Sequence, residues 1–262
     1  MISLIVPSYR NPKCLDICIQ SAIRGQKFNN EIICIIDGFP EEYEDLMIKY
    51  EDDVNFLPLE ENKGMQYALN VGVWQANSEK ILIVNDDNVL CKDWDSILED
   101  DYDDNLIITP NQIEKAESLF DFVVKDYGTP ETFDLDNFLE TEPDHRTDKY
   151  TQKGGIFPLF LSKRIYMMVG GFDDLYPSPF VCDWDFFLKC ELAKVKTIRT
   201  HKLNFYHFGS VSTKNGKESK RFTDSESEAY ELYQYKWGMP MYLNPDNTHS
   251  SKHAKVRGIT FG

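Results

Sequence analysis

Over its first hundred residues the chain alternates between short apolar, β-branched runs and longer stretches whose apolar residues recur at helical spacing. Ile2–Val6 reads as a strand, and Pro7 and Pro12 bracket a loop. Pro12–Arg24 follows with Leu15, Cys18, Ile19, Ala22 and Ile23 on one helical face. Ile32–Ile36 is a second strand, Glu41–Tyr50 a polar helix, Val54–Leu57 a third strand and Lys63–Ala76 a helix with small residues for close packing. Lys80–Val84 is a fourth strand that runs into Asn85-Asp86-Asp87-Asn88. Strands that are apolar throughout are buried on both faces, and a helix between each pair makes the crossovers. The expected fold is therefore α/β, a doubly wound and mostly parallel sheet with helices on both faces.

Beyond residue 105 the pattern loosens. Leu106–Thr109 reads as an edge strand, and Asp126–Tyr150, rich in Asp, Glu, Thr and Pro, as a surface loop. Ile156–Leu161 is strand-like, Ser162–Val169 a short helix, and Asp183 to about Ala193 another, with Asp183 at the capping position. Lys196–Thr200 and Leu203–His207 read as two short strands, Ser210–Lys220 as a mobile polar loop and Ser225–Trp237 as a helix.

In such sheets ligands bind at the carboxyl ends of strands. Asp37 ends the second strand, and Asp86 with Asp87 follows the fourth. Adjacent carboxylates there repel each other and are partly desolvated, so a divalent cation with oxygen ligands is an economical partner. The alternative reading of Asp-Asp-Asn is a turn or helix cap. The balance of 28 Lys+Arg against 44 Asp+Glu gives a net charge of −16, which repels phosphates at long range, whether of nucleic acid or of lipid. An anionic ligand then needs a local device, and a bound cation is one. The dense acidic stretch Asp93–Asp104 reads as a solvated helix face. Six cysteines without a CxxC pair read as buried thiols rather than a disulfide or zinc framework. No apolar run reaches the ~18 residues of a membrane span, and Met1 leads straight into a strand-like run without a basic leader. A soluble, cytoplasmic protein is expected.

The motifs, taken in order, resemble those of family 2 glycosyltransferases of the GT-A type. Val6-Pro7-Ser8-Tyr9 is similar to the opening strand and loop, Ile35-Ile36-Asp37-Gly38 to the second-strand motif, and Asn62-Lys63-Gly64 with Ala68-Leu69-Asn70-Val71-Gly72 to the following helix. Asn85-Asp86-Asp87 falls on the Asp-x-Asp position with Asn in place of the first acid. Val169-Gly170-Gly171-Phe172-Asp173 resembles the turn before the acceptor site, and Cys182-Asp183-Trp184-Asp185 through Lys189 resembles the Glu-Asp-x-Asp segment, with Cys182 replacing the Glu and Lys189 the Arg. Tyr206-His207-Phe208-Gly209-Ser210 and Lys236-Trp237-Gly238 are similar to the late His and closing Lys-Trp-Gly motifs.

The resemblance implies a metal-dependent, inverting transfer of a sugar from a nucleotide diphosphate, UDP-linked by preference, to a hydroxyl of a glycan or other acceptor. It implies Asp183 as catalytic base, and Pro7, Ser8, Tyr9, Asp37, Asn62, Gly64 and Asp86 as nucleotide-binding. Trp184 and Gly171 fall on the acceptor side, and Asp87, Asp86 and His207 become ligands of Mn2+ or Mg2+. A GT-A domain is expected over 1–210, with a nucleotide-binding half over about 1–110, an acceptor half over about 111–210 and a small second sheet on the acceptor side. Residues 211–262 then supply a mobile loop, a helix and a tail packed on the same domain. Each residue keeps a structural reading: a core Trp184, a core His207, backbone geometry for Gly170 and Gly171, and a solvated loop rather than a diphosphate cover for Lys214, Lys217, Lys220 and Arg221. Pro7-Ser8-Tyr9-Arg10-Asn11-Pro12 lacks the glycines of a nucleotidyltransferase phosphate loop, and no Gly-x-Gly-x-x-Gly supports a dinucleotide oxidoreductase. A catalytically inactive GT-A domain that binds a nucleotide sugar or glycan is the alternative, and the charge speaks against a nucleic-acid acceptor.

Overall fold

The computed structural model describes residues 1–117, 122–151, 157–209 and 219–241. The expected alternation forms β1 (Ser3–Ser8), α1 (Pro12–Gly25), β2 (Glu31–Asp37), α2 (Glu44–Lys49), β3 (Asn55–Leu59), α3 (Met65–Gln75) and β4 (Lys80–Ile83). Then come β5 (Asn88–Val89), α4 (Trp94–Asp101), β6 (Leu106–Glu114), β7 (Val123–Val124), α5 (Leu135–Thr141), β8 (Tyr150–Thr151), β9 (Leu159–Ser162) and α6 (Lys163–Met168). α7 (Pro179–Leu192), β10 (Lys196–His207) and α8 (Ser219–Trp237) complete it.

The strands form one sheet in the order β3-β2-β1-β4-β9-β6-β10-β5, with β7 beside β6 and β8 beside β10. β1, β2, β3 and β4 pair in parallel, as do β6 and β10, while β9 runs antiparallel between β4 and β6. Among the described residues the short strands expected as a second sheet are instead hydrogen-bonded to this one. Leu106–Glu114 is not an edge: the buried run Ile107–Ile113 places it between β9 and β10. The two strands expected at Lys196–Thr200 and Leu203–His207 are one, interrupted by a bulge between Thr200 and Asn204 where pairing with β6 shifts register.

Helices cover both faces. On one, Leu15, Cys18, Ile19 and Ala22 of α1 pack with Trp94 and Leu98 of α4 and Phe138 of α5. The Asp126–Tyr150 segment, expected as a loop, thus contributes a helix to the core. On the other face Ala68, Leu69 and Val73 of α3 meet Ile165 and Tyr166 of α6 and Phe186 of α7. α8 lies on α7 through Leu188, Val181, Ala229, Tyr233 and Trp237. The six cysteines are free and buried. The acidic stretch is not uniformly solvated. Asp95 is fully buried and accepts from the Lys27 and Phe28 amides and from Asn30, while Asp101 takes Lys202 from the β10 bulge at 2.6 Å.

Chain order places α1 and α2 in the crossovers from β1 to β2 and from β2 to β3, and α3 returns the chain across β1 to β4. The strand order reverses between β1 and β4, where doubly wound sheets open a crevice at their carboxyl ends. α1 ends against the segment after β5: the Asp93 amide donates to Gly25 O at 2.6 Å and the Trp94 indole to Ala22 O at 3.1 Å. A Cβ on Gly25 would stand 2.4 Å from the Cys91 carbonyl oxygen. Because backbone rather than a mobile side chain is in the way, Gly25→Ala should lower stability by about 1–3 kcal/mol in urea unfolding.

Candidate active site

Ser8 ends β1 and Asp86 follows β4, and the two meet across the crevice. The Ser8 hydroxyl donates to Asp86 Oδ2 at 2.6 Å and the Asn11 amide group to Oδ1 at 3.2 Å. Tyr43 completes the arrangement, its oxygen accepting from the Asn11 amide at 2.9 Å and lying 2.8 Å from Ser8 Oγ. With the Ser8 proton directed to Asp86, the Tyr43 proton is left for Ser8. Burial and the neighbouring Asp87 raise the Asp86 carboxyl above the usual carboxylate range, against the hydrogen bonds from Ser8 and Asn11.

Asp87 points the other way. His207 lies between β5 and β6 because β10 pairs with both: His207 stands opposite Asn88, Tyr206 opposite Ile113, and the Phe208 amide donates to Asp87 O at 3.1 Å. His207 Nε2 is 3.4 Å from Asp87 Oδ2, and Nδ1 is 2.8 Å from Glu114 Oε1. Burial alone would lower the His207 pKa, but Asp87 and Glu114 outweigh it and push it up to about 10.

Asp37, Asn62 and Gly64 form a second group. Asp37 Oδ1 accepts from the Lys63 amide at 2.7 Å, and Oδ2 from the Gly64 amide at 2.9 Å and the Asn62 side chain at 2.8 Å. Asp37, expected to bind the nucleotide, also holds the turn that starts α3. Tyr9 and Phe39 form an edge-on pair with centroids 6.0 Å apart at the same end of the sheet, with the Arg10 guanidinium 4.4 Å over Phe39.

Asp183 does not cap its helix. α7 begins at Pro179, which places Asp183 in its second turn, half-buried, with the Trp184 amide 2.8 Å from Oδ1. No helix-end effect applies there, and burial raises its carboxyl to about 7. Trp184 is packed partly against α8, and Cys182 is fully buried with its thiol directed to Pro179 O at 3.2 Å. Gly171 is required by backbone geometry: its φ is +63°, and a Cβ would meet Asn70 Oδ1 at 2.6 Å. Asn70 of α3 binds this turn with its Nδ2 donating to Phe172 O at 2.8 Å and its Oδ1 accepting from the Phe172 amide at 3.0 Å. Ser210, Lys214 and Lys217 lie outside the described residues, and Lys220 and Arg221 belong to α8 rather than to a loop.

Sequence reasoning missed how three motifs join. Asp185, fully buried, accepts from the Trp237 indole at 2.9 Å and the Tyr176 hydroxyl at 3.0 Å, and pairs with Lys236 at 2.7 Å and Lys189 at 3.2 Å. Lys236 also reaches Asp173 at 2.6 Å, and Lys189 donates to Gly171 O at 2.5 Å. The i, i+4 spacing of Asp185 and Lys189 was legible; the partner on α8 was not.

Among the described residues no group of three or more His, Cys, Asp or Glu side chains is gathered as a metal cage. Asp87 and His207 nevertheless present one carboxylate oxygen and one imidazole nitrogen 3.4 Å apart, a donor pair that suits Mn2+. Two residues before Asp87, the buried Asn85 Oδ1 accepts no hydrogen bond. Divalent ions at phosphate-transfer sites commonly take one or two protein ligands and leave the rest to phosphate and water. The residues present fit such an open site, and both Asp86 oxygens are engaged elsewhere.

The profile of glycosyl transferase family 2 matches residues 3–151, more than half of the chain. The protein belongs to glycosyl transferase family 2. An uncharacterized glycosyltransferase of Haemophilus influenzae is 24% identical over 208 residues, covering 78% of this chain and 66% of that protein. A human dolichyl-phosphate beta-glucosyltransferase is 28% identical over 99 residues, 33% of this chain and 31% of that one. The chain thus spans about two thirds of the first relative and under a third of the second. Staphylococcus aureus TarS 1-349 in complex with UDP-GlcNAc superposes with a TM-score of 0.55 at 16% identity, over 89% of this chain and 71% of that one. The mannosyltransferase PcManGT of Pyrobaculum calidifontis, in complex with GDP-Man and Mn2+, gives 0.54 at 14% identity, over 79% and 56%. At such identities the structural likeness establishes the GT-A fold. Among the described residues no helix of this family 2 chain is long and apolar enough to cross a membrane. The profile match ends before Asp183 and His207.

The Asp185 cluster can be tested directly. Asp185→Ala strands the buried Lys189 ammonium and takes from Lys236 one of its two carboxylate partners, a loss of about 3–5 kcal/mol, and should lower Tm by on the order of 10 °C. Burial raises the Asp173 carboxyl, but Lys236 outweighs it and holds it below the usual value. The stability contributed by that pair is then full above about pH 4 and is lost as pH falls through the folded-state value. The urea midpoints of wild type and Lys236→Met should accordingly lie closer together at pH 3 than at pH 7.

Proposed function

We propose that this chain transfers a sugar from a nucleotide diphosphate, UDP-linked by preference, to a hydroxyl of a glycan or other acceptor, with inversion at the anomeric carbon. The observation that carries the reading is the meeting of Asp87 and His207, 120 positions apart in sequence, at the carboxyl end of the sheet beside the β1/β4 crevice. The β1 end supplies Pro7, Ser8 and Tyr9 to the nucleotide, with Ser8 and Asp86 holding each other at its floor. Asn62 and Gly64 line its rim on the turn that Asp37 holds, and Asp37 selects the uracil through hydrogen bonds. Asp87 and His207, with Asp86 behind them, would hold Mn2+ or Mg2+, which when bound neutralises the charge developing on the departing diphosphate.

Inversion requires one in-line displacement and one base on the acceptor side. Asp183 takes the acceptor proton: burial brings its carboxyl to about 7, where a base combines ionisation with proton affinity near neutral pH. Trp184 offers an aromatic face to the acceptor, and Gly171 shapes the adjoining turn. An inactive binding domain is the competing reading, favoured by the fully buried thiol of Cys182 at the position where the Glu-Asp-x-Asp motif it resembles has its Glu.

UDP-sugars screened by thermal shift with Mn2+ identify the donor, and its hydrolysis is then scored. Asp87→Ala should abolish Mn2+-dependent UDP binding in calorimetry. Asp183→Asn should keep that binding and lose turnover by roughly 10²–10⁴-fold. Because the base works ionised, wild-type turnover should rise with pH through about 7 and then level. Normal turnover by Asp183→Asn removes the base assignment, and donor binding without any turnover in wild type favours the inactive domain.

A further inference from the structure

The His207–Glu114 contact has no place in the functional reading above, and sequence reasoning did not single out Glu114. An imidazole has two nitrogens, and the one that binds an electrophile is determined by what the other holds. Here His207 Nδ1 faces Glu114 Oε1 at 2.8 Å while Nε2 faces Asp87 Oδ2 at 3.4 Å. The two carboxylates approach opposite edges of the ring, so Glu114 is not a member of the Asp87 side.

The backbone determines this arrangement. β6 and β10 pair in parallel with Ile113 opposite Tyr206, which puts Glu114 beside His207. On its other side Glu114 pairs with Val124 of β7, and the Lys125 amide donates to Glu114 O at 2.9 Å. Lys115, the next residue, pairs instead with Asp126 at 3.0 Å. Among the described residues His207 is the only ion-pair partner of the Glu114 carboxylate. A second carboxylate on the ring that already faces Asp87 is unfavourable by itself unless the imidazole stands between the two, as it does here.

We propose that Glu114 is a positioning residue: it holds the Nδ1–H form of His207 and directs Nε2 toward the divalent cation shared with Asp87. The proposal rests on the metal reading of Asp87 and His207. Removing such an outer partner typically weakens metal binding by 10–100-fold.

The test measures Mn2+ binding to the full chain from the EPR signal of the free ion, with and without UDP, for wild type, His207→Ala, Glu114→Ala, Glu114→Gln and the double Glu114→Ala/His207→Ala. Expected are a loss of affinity on the order of 10-fold or more for Glu114→Ala, and a smaller one for Glu114→Gln, whose amide oxygen still accepts from Nδ1–H. The double variant should bind no more weakly than His207→Ala, because Glu114 acts only through the ring. Glu114→Gln keeps shape and hydrogen bond, so it reports even where the alanine variant does not fold. Wild-type affinity in both Glu114 variants, with His207→Ala weakened, overturns the role of Glu114 and leaves the metal reading standing. A double variant weaker than His207→Ala by the full Glu114 factor also overturns it. Unchanged affinity in His207→Ala itself removes the metal reading and the proposal with it.

Discussion

Two adjacent carboxylates buried at the end of a strand set the terms for this site. Asp86 and Asp87 cannot share one environment, because each raises the cost of ionising the other. The chain separates them by direction: Asp86 turns toward β1, where Ser8 and Asn11 donate to it and Tyr43 backs Ser8, and Asp87 turns toward β10, where it meets the His207 imidazole. Each direction demands a distant piece of chain. Ser8 requires that α3 carry the chain back across β1 to β4, and His207 requires that β10 run between β5 and β6. The sheet order and the placement of the acids are thus a single arrangement.

Much of this was legible in the first hundred residues, because there local pattern and tertiary environment agree. Strands such as Ile32–Ile36 are apolar on both faces, and both are indeed covered. The second half was harder for physical reasons. Leu106–Glu114 carries Thr109, Asn111 and Gln112, which dilute its apolar signal, yet they are buried in mid-sheet and Asn111 bonds Asn204 across the pair at 2.8 Å. Lys196–His207 contains His201 and Lys202, which read as a turn and form a bulge. Asp95 looked like surface charge because its partners are backbone amides near residue 27, invisible to any local window.

The candidate site was legible in its motifs and not in its contacts. Asp37, Asp86, Asp87, Asp183 and His207 each carry a recognisable neighbourhood, whereas what each one touches depends on chain far away. Asp37 also holds a turn through amides 26 and 27 positions away, and Asp183, expected at a helix end, sits within the helix. Glu114 and Asp185 had no local signal, since each gains meaning only from a partner on another element. The net charge of −16 is likewise no uniform field here: several of its acids are buried against amides, lysines or an imidazole.

Asn70 has one more consequence. Through a single amide group it receives the Tyr166 hydroxyl and the Phe172 amide and donates to Phe172 O, three hydrogen bonds from the helix that follows the Asp37 turn to the segment that precedes α7. Geometrically it is a strut. A planar group with no internal freedom ties α3 to both α6 and the Phe172 turn, and sliding of α3 against the pair would strain all three bonds together. α3 and these neighbours are therefore gauged against each other by one side chain, much as a spacer sets the gap between two plates.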